Sequence, residues 1–114
     1  MDSIVGIADI MGKINSKRKG KTGELEIVNL LKEKGLTARR GQQFKGGPDS
    51  PDVVCEELPG ILIEVKRKEV ISLYPTMEKA KEDAGDKTPV VFYRRNNKPW
   101  LAIMYLEDWL DDSI

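Results

Sequence analysis

Asp52, Glu64 and Lys66 bring chemistry that a small apolar fold does not ask for. Pro51-Asp52 leads into the apolar run Val53, Val54, Cys55, while Ile61, Leu62 and Ile63 lead into Glu64, Val65 and Lys66. Both runs are short and β-branched and read as strands, joined through Glu56-Glu57-Leu58-Pro59-Gly60. Strand side chains alternate faces, so Glu64 and Lys66 point with Leu62, and Ile61, Ile63 and Val65 cover the other face. Paired as a hairpin, the strands set Asp52 near Glu64 and Lys66. Carboxylates and an ammonium then share a largely apolar sheet, where desolvated charge is costly without a counter-charge. Lys66 supplies one, and a divalent cation would supply the rest. A single Glu-x-Lys is usually exposed decoration; its occurrence with an Asp-led strand and a plausible turn is what sets it apart.

The elements around this pair must position it. Thr22 is suited to cap a helix that ends near Lys34, with Gly35 as its stop signal. Leu25, Ile27, Val28, Leu30 and Leu31 form its apolar stripe, and Glu24 shares the row of Ile27, Val28 and Leu31. Glu26 points to the opposite side. A carboxylate in an apolar stripe either favours the positive helix terminus or is aimed at a site. Packing on the sheet would aim Glu24 at Asp52, Glu64 and Lys66.

Leu36 to Arg40 reads as a first strand, and Gln42 to Ser50 as a loop able to approach a backbone phosphate. That loop holds Pro48-Asp49, a competitor for the role of Pro51-Asp52, but no apolar strand follows it directly. A second helix runs from about Thr76 to Ala84, with Met77, Ala80 and Ala84 inward and Lys79 and Lys81 either in solvent or reaching phosphate. Pro89 to Tyr93 is a strand, Arg94 to Pro99 a turn, Trp100 to Tyr105 its hairpin partner, and Leu106 to Leu110 a terminal helix. The order α-β-β-β-α-β-β-α implies an α/β fold with a mixed sheet flanked by helices. Residues 1–18 are expected to form an N-terminal segment or arm, and 19–114 a single domain.

Composition narrows the function. A chain of 114 residues holds one modest core. Histidine is absent, which excludes Ser-His and Cys-His nucleophile pairs and histidine-zinc sites. Hydrolysis would have to use carboxylates, lysine and a metal. The single cysteine, Cys55, lies in a strand and suits a buried hydrophobe in a reducing cytoplasm. No apolar run reaches the length of a membrane span, and the N-terminus lacks the pattern of a secretory signal. Net charge is zero, but basic residues cluster at 13–21, at 39–45, at 66–68 and at 94–98, while acids gather at 107–112. Such a segregated field can present a basic face to DNA.

Together, Pro51-Asp52 and Glu64-Val65-Lys66 resemble the two motifs of the PD-(D/E)xK nuclease superfamily. Within it, residues 17 to 110 are similar to archaeal and phage Holliday-junction resolvases. Arg18-Lys19-Gly20 before Glu24 resembles the family's basic lead into a helix with a catalytic Glu. Gly35 to Arg40 resembles its strand ending in a DNA-contacting arginine, best matched by Arg40. The segment from Glu64 to Leu110 is particularly similar to small phage-encoded nucleases of this kind. One departure is Leu25, where the family often has a basic residue.

The resemblance implies a restriction-endonuclease-like α/β/α core with a central mixed five-stranded sheet. It implies a metal-dependent endonuclease that cuts four-way DNA junctions symmetrically as a homodimer in a phage or prokaryotic cytoplasm. Mg2+, with Mn2+ as substitute, would be held by Asp52, Glu64 and the Val65 carbonyl, and by Glu24 directly or through water. Lys66 would orient the attacking water, making Glu24, Asp52, Glu64 and Lys66 the catalytic set. Lys19, Lys21, Arg39, Arg40, Arg67 and Lys68 would hold phosphates without reading sequence. The same motifs also allow cleavage of other DNA structures, or a non-catalytic DNA-binding protein on this fold.

Overall fold

A computed structural model describes residues 2–41 and 51–113, with side-chain environments for 18–41 and 51–111. The Gln42–Ser50 loop, its Pro48-Asp49 pair and the side chains of Lys13 and Lys17 lie outside the described residues. Eight elements follow one another: α1 (Asp2–Glu33), β1 (Ala38–Arg40), β2 (Val53–Cys55), β3 (Ile61–Arg67), α2 (Leu73–Ala84), β4 (Thr88–Arg94), β5 (Leu101–Ile103) and α3 (Leu106–Ser113). This is the expected order, and it builds one mixed five-stranded sheet in the order β1-β2-β3-β4-β5. Pairing is antiparallel throughout except between β3 and β4, which run parallel across the α2 connection.

The sheet divides the core. Ile63 and Val65 pack on the α1 side with Ile27, Val28, Ala38, Val53 and Cys55. Val91 packs on the α2 side with Met77 and Ala80. Alternation along β3 and β4 produces this split: odd positions of β3 serve α1, and Glu64 and Lys66 are left for the α2 side.

Several boundaries differ from the sequence reading, including a β1 that starts at Ala38 and an α3 that runs on to Ser113. Thr22 caps nothing, because α1 runs unbroken from Asp2 through residue 18, the expected limit of the N-terminal segment, to Glu33. Its end is as expected: Gly35 takes φ 84°, and the Leu36 and Gly35 amides donate to the Leu31 and Lys32 carbonyls at 3.0 and 2.9 Å. The second helix starts at Leu73, three residues early, since Pro75 within its first turn forfeits no intrahelical bond. β5 is only Leu101–Ile103, shorter than the Trp100–Tyr105 strand expected.

Candidate active site

The strand register makes the site. Val53 pairs with Ile63 in the antiparallel β2–β3 ladder, so Asp52 stands opposite Glu64 on the same face. Asp52 is held by its backbone on both sides: its amide donates to the Ile63 carbonyl at 3.1 Å, and its carbonyl accepts from Gly41 at 2.9 Å. A side chain at Gly41 would collide with the Pro51 carbonyl, so glycine permits this close approach. The Asp52 side chain is then fixed by the Val65 amide, which donates to Oδ2 at 2.8 Å.

Burial and crowding set the electrostatics. Desolvation, followed by the neighbouring Asp52 carboxyl and then Asp83, pushes Glu64 up to about 8, against a smaller opposing effect of Lys66. Glu24 is the buried charged residue of the described core, at 6% exposure. Burial and Asp52 raise its pKa, while Arg40 opposes the rise by donating from Nη2 to Glu24 Oε2 at 3.2 Å. Gly23 lets α1 lie this close to the sheet, since a Cβ there would stand 2.8 Å from Arg67 Cβ. One cleft of about 230 Å3 is lined by Glu24, Asp52, Val65, Lys66, Arg67 and Lys68. Glu64 lines a second cleft, of about 210 Å3, together with Lys66, Thr76, Lys79 and Asp83. Lys66 therefore borders both.

The family model described as archaeal Holliday junction resolvase matches residues 15–109. The chain belongs to that family. No curated protein and no solved structure gives a match. That family acts as nucleases on branched DNA junctions, and the mixed five-stranded α/β sheet is the fold expected of a member.

Not every expected residue reaches the centre. Among the described residues no three His, Cys, Asp or Glu side chains form a ready cation cage. Asp52 and Glu64 are the close pair, and Glu24 approaches Asp52 from the α1 side with its carboxylate on Arg40. The donor set still fits a divalent cation: the facing carboxyls of Asp52 and Glu64 are hard oxygen donors whose mutual repulsion such an ion would relieve. Mg2+ commonly retains several waters and takes only one or two carboxylates from a protein.

The expected phosphate contacts divide as well. Lys21, Arg39 and Lys68 are exposed and Lys19 is half-buried. Arg40 and Arg67 are instead engaged within the protein, Arg40 on Glu24 and Arg67 through Nη2 on Asn96 Oδ1 at 2.9 Å. Arg40 Nε and Arg67 Nε and Nη1 are buried without a hydrogen-bond partner among the described residues.

The sequence reading missed two groups. Thr76, Lys79 and Asp83 follow an i, i+3, i+7 row beside the apolar stripe of α2, which is the signal that places them over Glu64. Glu26, expected on the far side of α1, reaches sideways to β4 and β5. Its Oε2 accepts from Arg94 Nη1 and Trp100 Nε1, each at 2.8 Å.

Proposed function

We propose that this chain is a divalent-cation-dependent endonuclease that nicks four-way DNA junctions symmetrically as a homodimer, of phage or prokaryotic origin. The carrying observation is the facing pair Asp52–Glu64 with Lys66 on the same strand face. Asp52, Glu64 and the Val65 carbonyl would hold Mg2+ or, in its place, Mn2+. When bound, the cation polarises the phosphoryl oxygen, acidifies water and offsets charge on the leaving oxygen.

The protein supplies the rest. The Val65 amide holds Asp52 in one orientation, so the ligand arrangement is preset. Glu24 adds negative charge beside Asp52, with its own ionisation supported by Arg40. Lys66, bordering both clefts, orients the attacking water and stabilises charge that develops on the phosphate. Lys19, Lys21, Arg39 and Lys68 attract the backbone without reading sequence, and Arg40 and Arg67 brace the cleft walls.

Two symmetric cuts need two sites related by a two-fold axis. An apolar groove lined by Ile27, Leu30, Phe92, Trp100 and Leu101 supports the α1-facing side of β5, apart from the turn that precedes it, as the contact between copies. Leu30 and Leu101 are 44% and 53% exposed, an apolar surface that a second copy would cover.

The test compares nicking of a synthetic four-way junction, a flap and a linear duplex in Mg2+ by the wild type and Asp52→Asn. Paired symmetric nicks on the junction alone, lost in the variant, are expected. Equal cutting of all three substrates would remove junction selectivity but leave the nuclease, and no cutting with any divalent ion would overturn the enzyme.

A further inference from the structure

We infer that the turn between β4 and β5 is a second DNA-backbone site, in which Arg95 and Lys98 grip phosphates on the arm leaving the cleft. The inference rests on the nuclease reading and extends it to a surface outside the catalytic set.

Register places the turn. Lys66 pairs with Tyr93 and Arg67 with Arg94 in the parallel ladder, so β4 leaves the sheet at the end where β3 delivers Lys66. Neighbouring strands are about 4.8 Å apart and each residue advances about 3.3 Å, which puts the Arg95 backbone roughly 8 Å from that of Lys66. Phosphates on one strand recur about every 3.4 Å of helix axis, so this span reaches a phosphate a few nucleotides from the cut.

The turn is built rather than loose. The Asn96 amide donates to Glu69 Oε2, and the Asn96 Oδ1 accepts from Arg67 Nη2, both at 2.9 Å. Arg67 also lines the catalytic cleft, so one side chain ties the turn to the site. Asn97 holds φ 60°, a left-handed conformation that asparagine tolerates. Arg94 is committed inward, with Nε on the Lys98 carbonyl at 2.6 Å and Nη1 on Glu26.

These bonds leave Arg95 and Lys98 exposed, with no ion pair to either among the described residues. Together with Tyr93, Arg94, Pro99 and Leu101 they line a concavity of about 400 Å3 that has no carboxylate in its wall. A solvated surface charge is ordinarily interspersed with acids; a fixed concave turn with free cations of one sign fits a polyanion.

The experiment measures binding of the same duplex and four-way junction without divalent cation, from about 50 to 200 mM salt. It compares wild type, R95A/K98A, and the control K32A/K34A. The control removes the same charge at the far end of α1, where Lys32 stands about 12 Å along the helix from Glu24 and Lys34 follows the helix end. R95A/K98A should lower the slope of log affinity against log salt by about 2, since each phosphate contact contributes about 0.9. The control should keep the wild-type slope. Thermal melting checks that each variant folds. An unchanged slope in R95A/K98A, or an equal loss in the control, overturns the turn site while wild-type cleavage leaves the nuclease reading standing. A wild type that neither binds nor cuts DNA overturns both.

Discussion

The Asp52 carboxylate accepts a hydrogen bond of 2.8 Å from the amide of Val65, thirteen residues on and one strand across. This bond spends a β3 backbone donor on orienting a β2 side chain, and it separates the structural from the chemical role of Asp52. Asp52→Asn retains an acceptor for the amide and should change stability by less than about 1 kcal/mol, while lowering cleavage roughly 10²-fold or more. Asp52→Ala also strands the Val65 amide and should cost a further 1–3 kcal/mol or about that. Urea denaturation alongside nicking assays distinguishes the two variants.

Glu64 makes stability depend on pH. Its pKa in the fold is about 8 against an ordinary value near 4.5, so between these limits the native state keeps a proton that the unfolded chain has released. Metal-free stability should therefore fall as pH rises through this window, by at most about 1.4 kcal/mol per pH unit, and level off above it. Glu64→Gln should flatten the profile and raise the melting temperature at pH 8. Cation uptake near pH 7 should expel protons, which titration calorimetry in buffers of different ionisation enthalpy detects. A metal-free profile with the opposite slope would refute the assignment.

Arg40 is expected to act first through Glu24. Removing it leaves a buried carboxylate at 6% exposure without its cation. Because the Arg40 side chain is itself 30% exposed, Arg40→Ala should cost roughly 1–3 kcal/mol, below the cost for a fully buried pair. Glu24→Gln in the same background should restore most of the loss, a coupling that a double-mutant cycle measures.

Glu26 should matter to stability but not to cation binding. Its Oε2 joins α1 to Arg94 on β4 and to Trp100 beside β5. Glu26→Ala should cost about 1–3 kcal/mol in chemical denaturation and leave the affinity for Mn2+ within about two-fold. A large change in affinity would show that this tether also sets the cleft.

Much of this protein is legible in its residues because short-range rules govern them. The Val53–Cys55 and Ile61–Arg67 runs are apolar, β-branched and bounded by turn residues, so their alternation fixes which side chains share a face. Gly35 ended α1 where a left-handed residue was needed. Residues 1–18 are expected as a separate segment because Gly6 and Gly12 interrupt their helical spacing and 15–20 are polar and basic, yet α1 continues through them. Gly23 has a packing reason that only the neighbouring strand reveals.

The chain by itself therefore determined the element order and the shared strand face of Asp52, Glu64 and Lys66, since periodicity and strand alternation are local properties. Tertiary structure alone decided that Glu24 spends its carboxylate on Arg40, that Arg67 turns to Asn96, and that Asp83 faces Glu64. Those outcomes depend on which desolvated charge finds a partner across the sheet, and such partners lie up to dozens of residues apart in the chain.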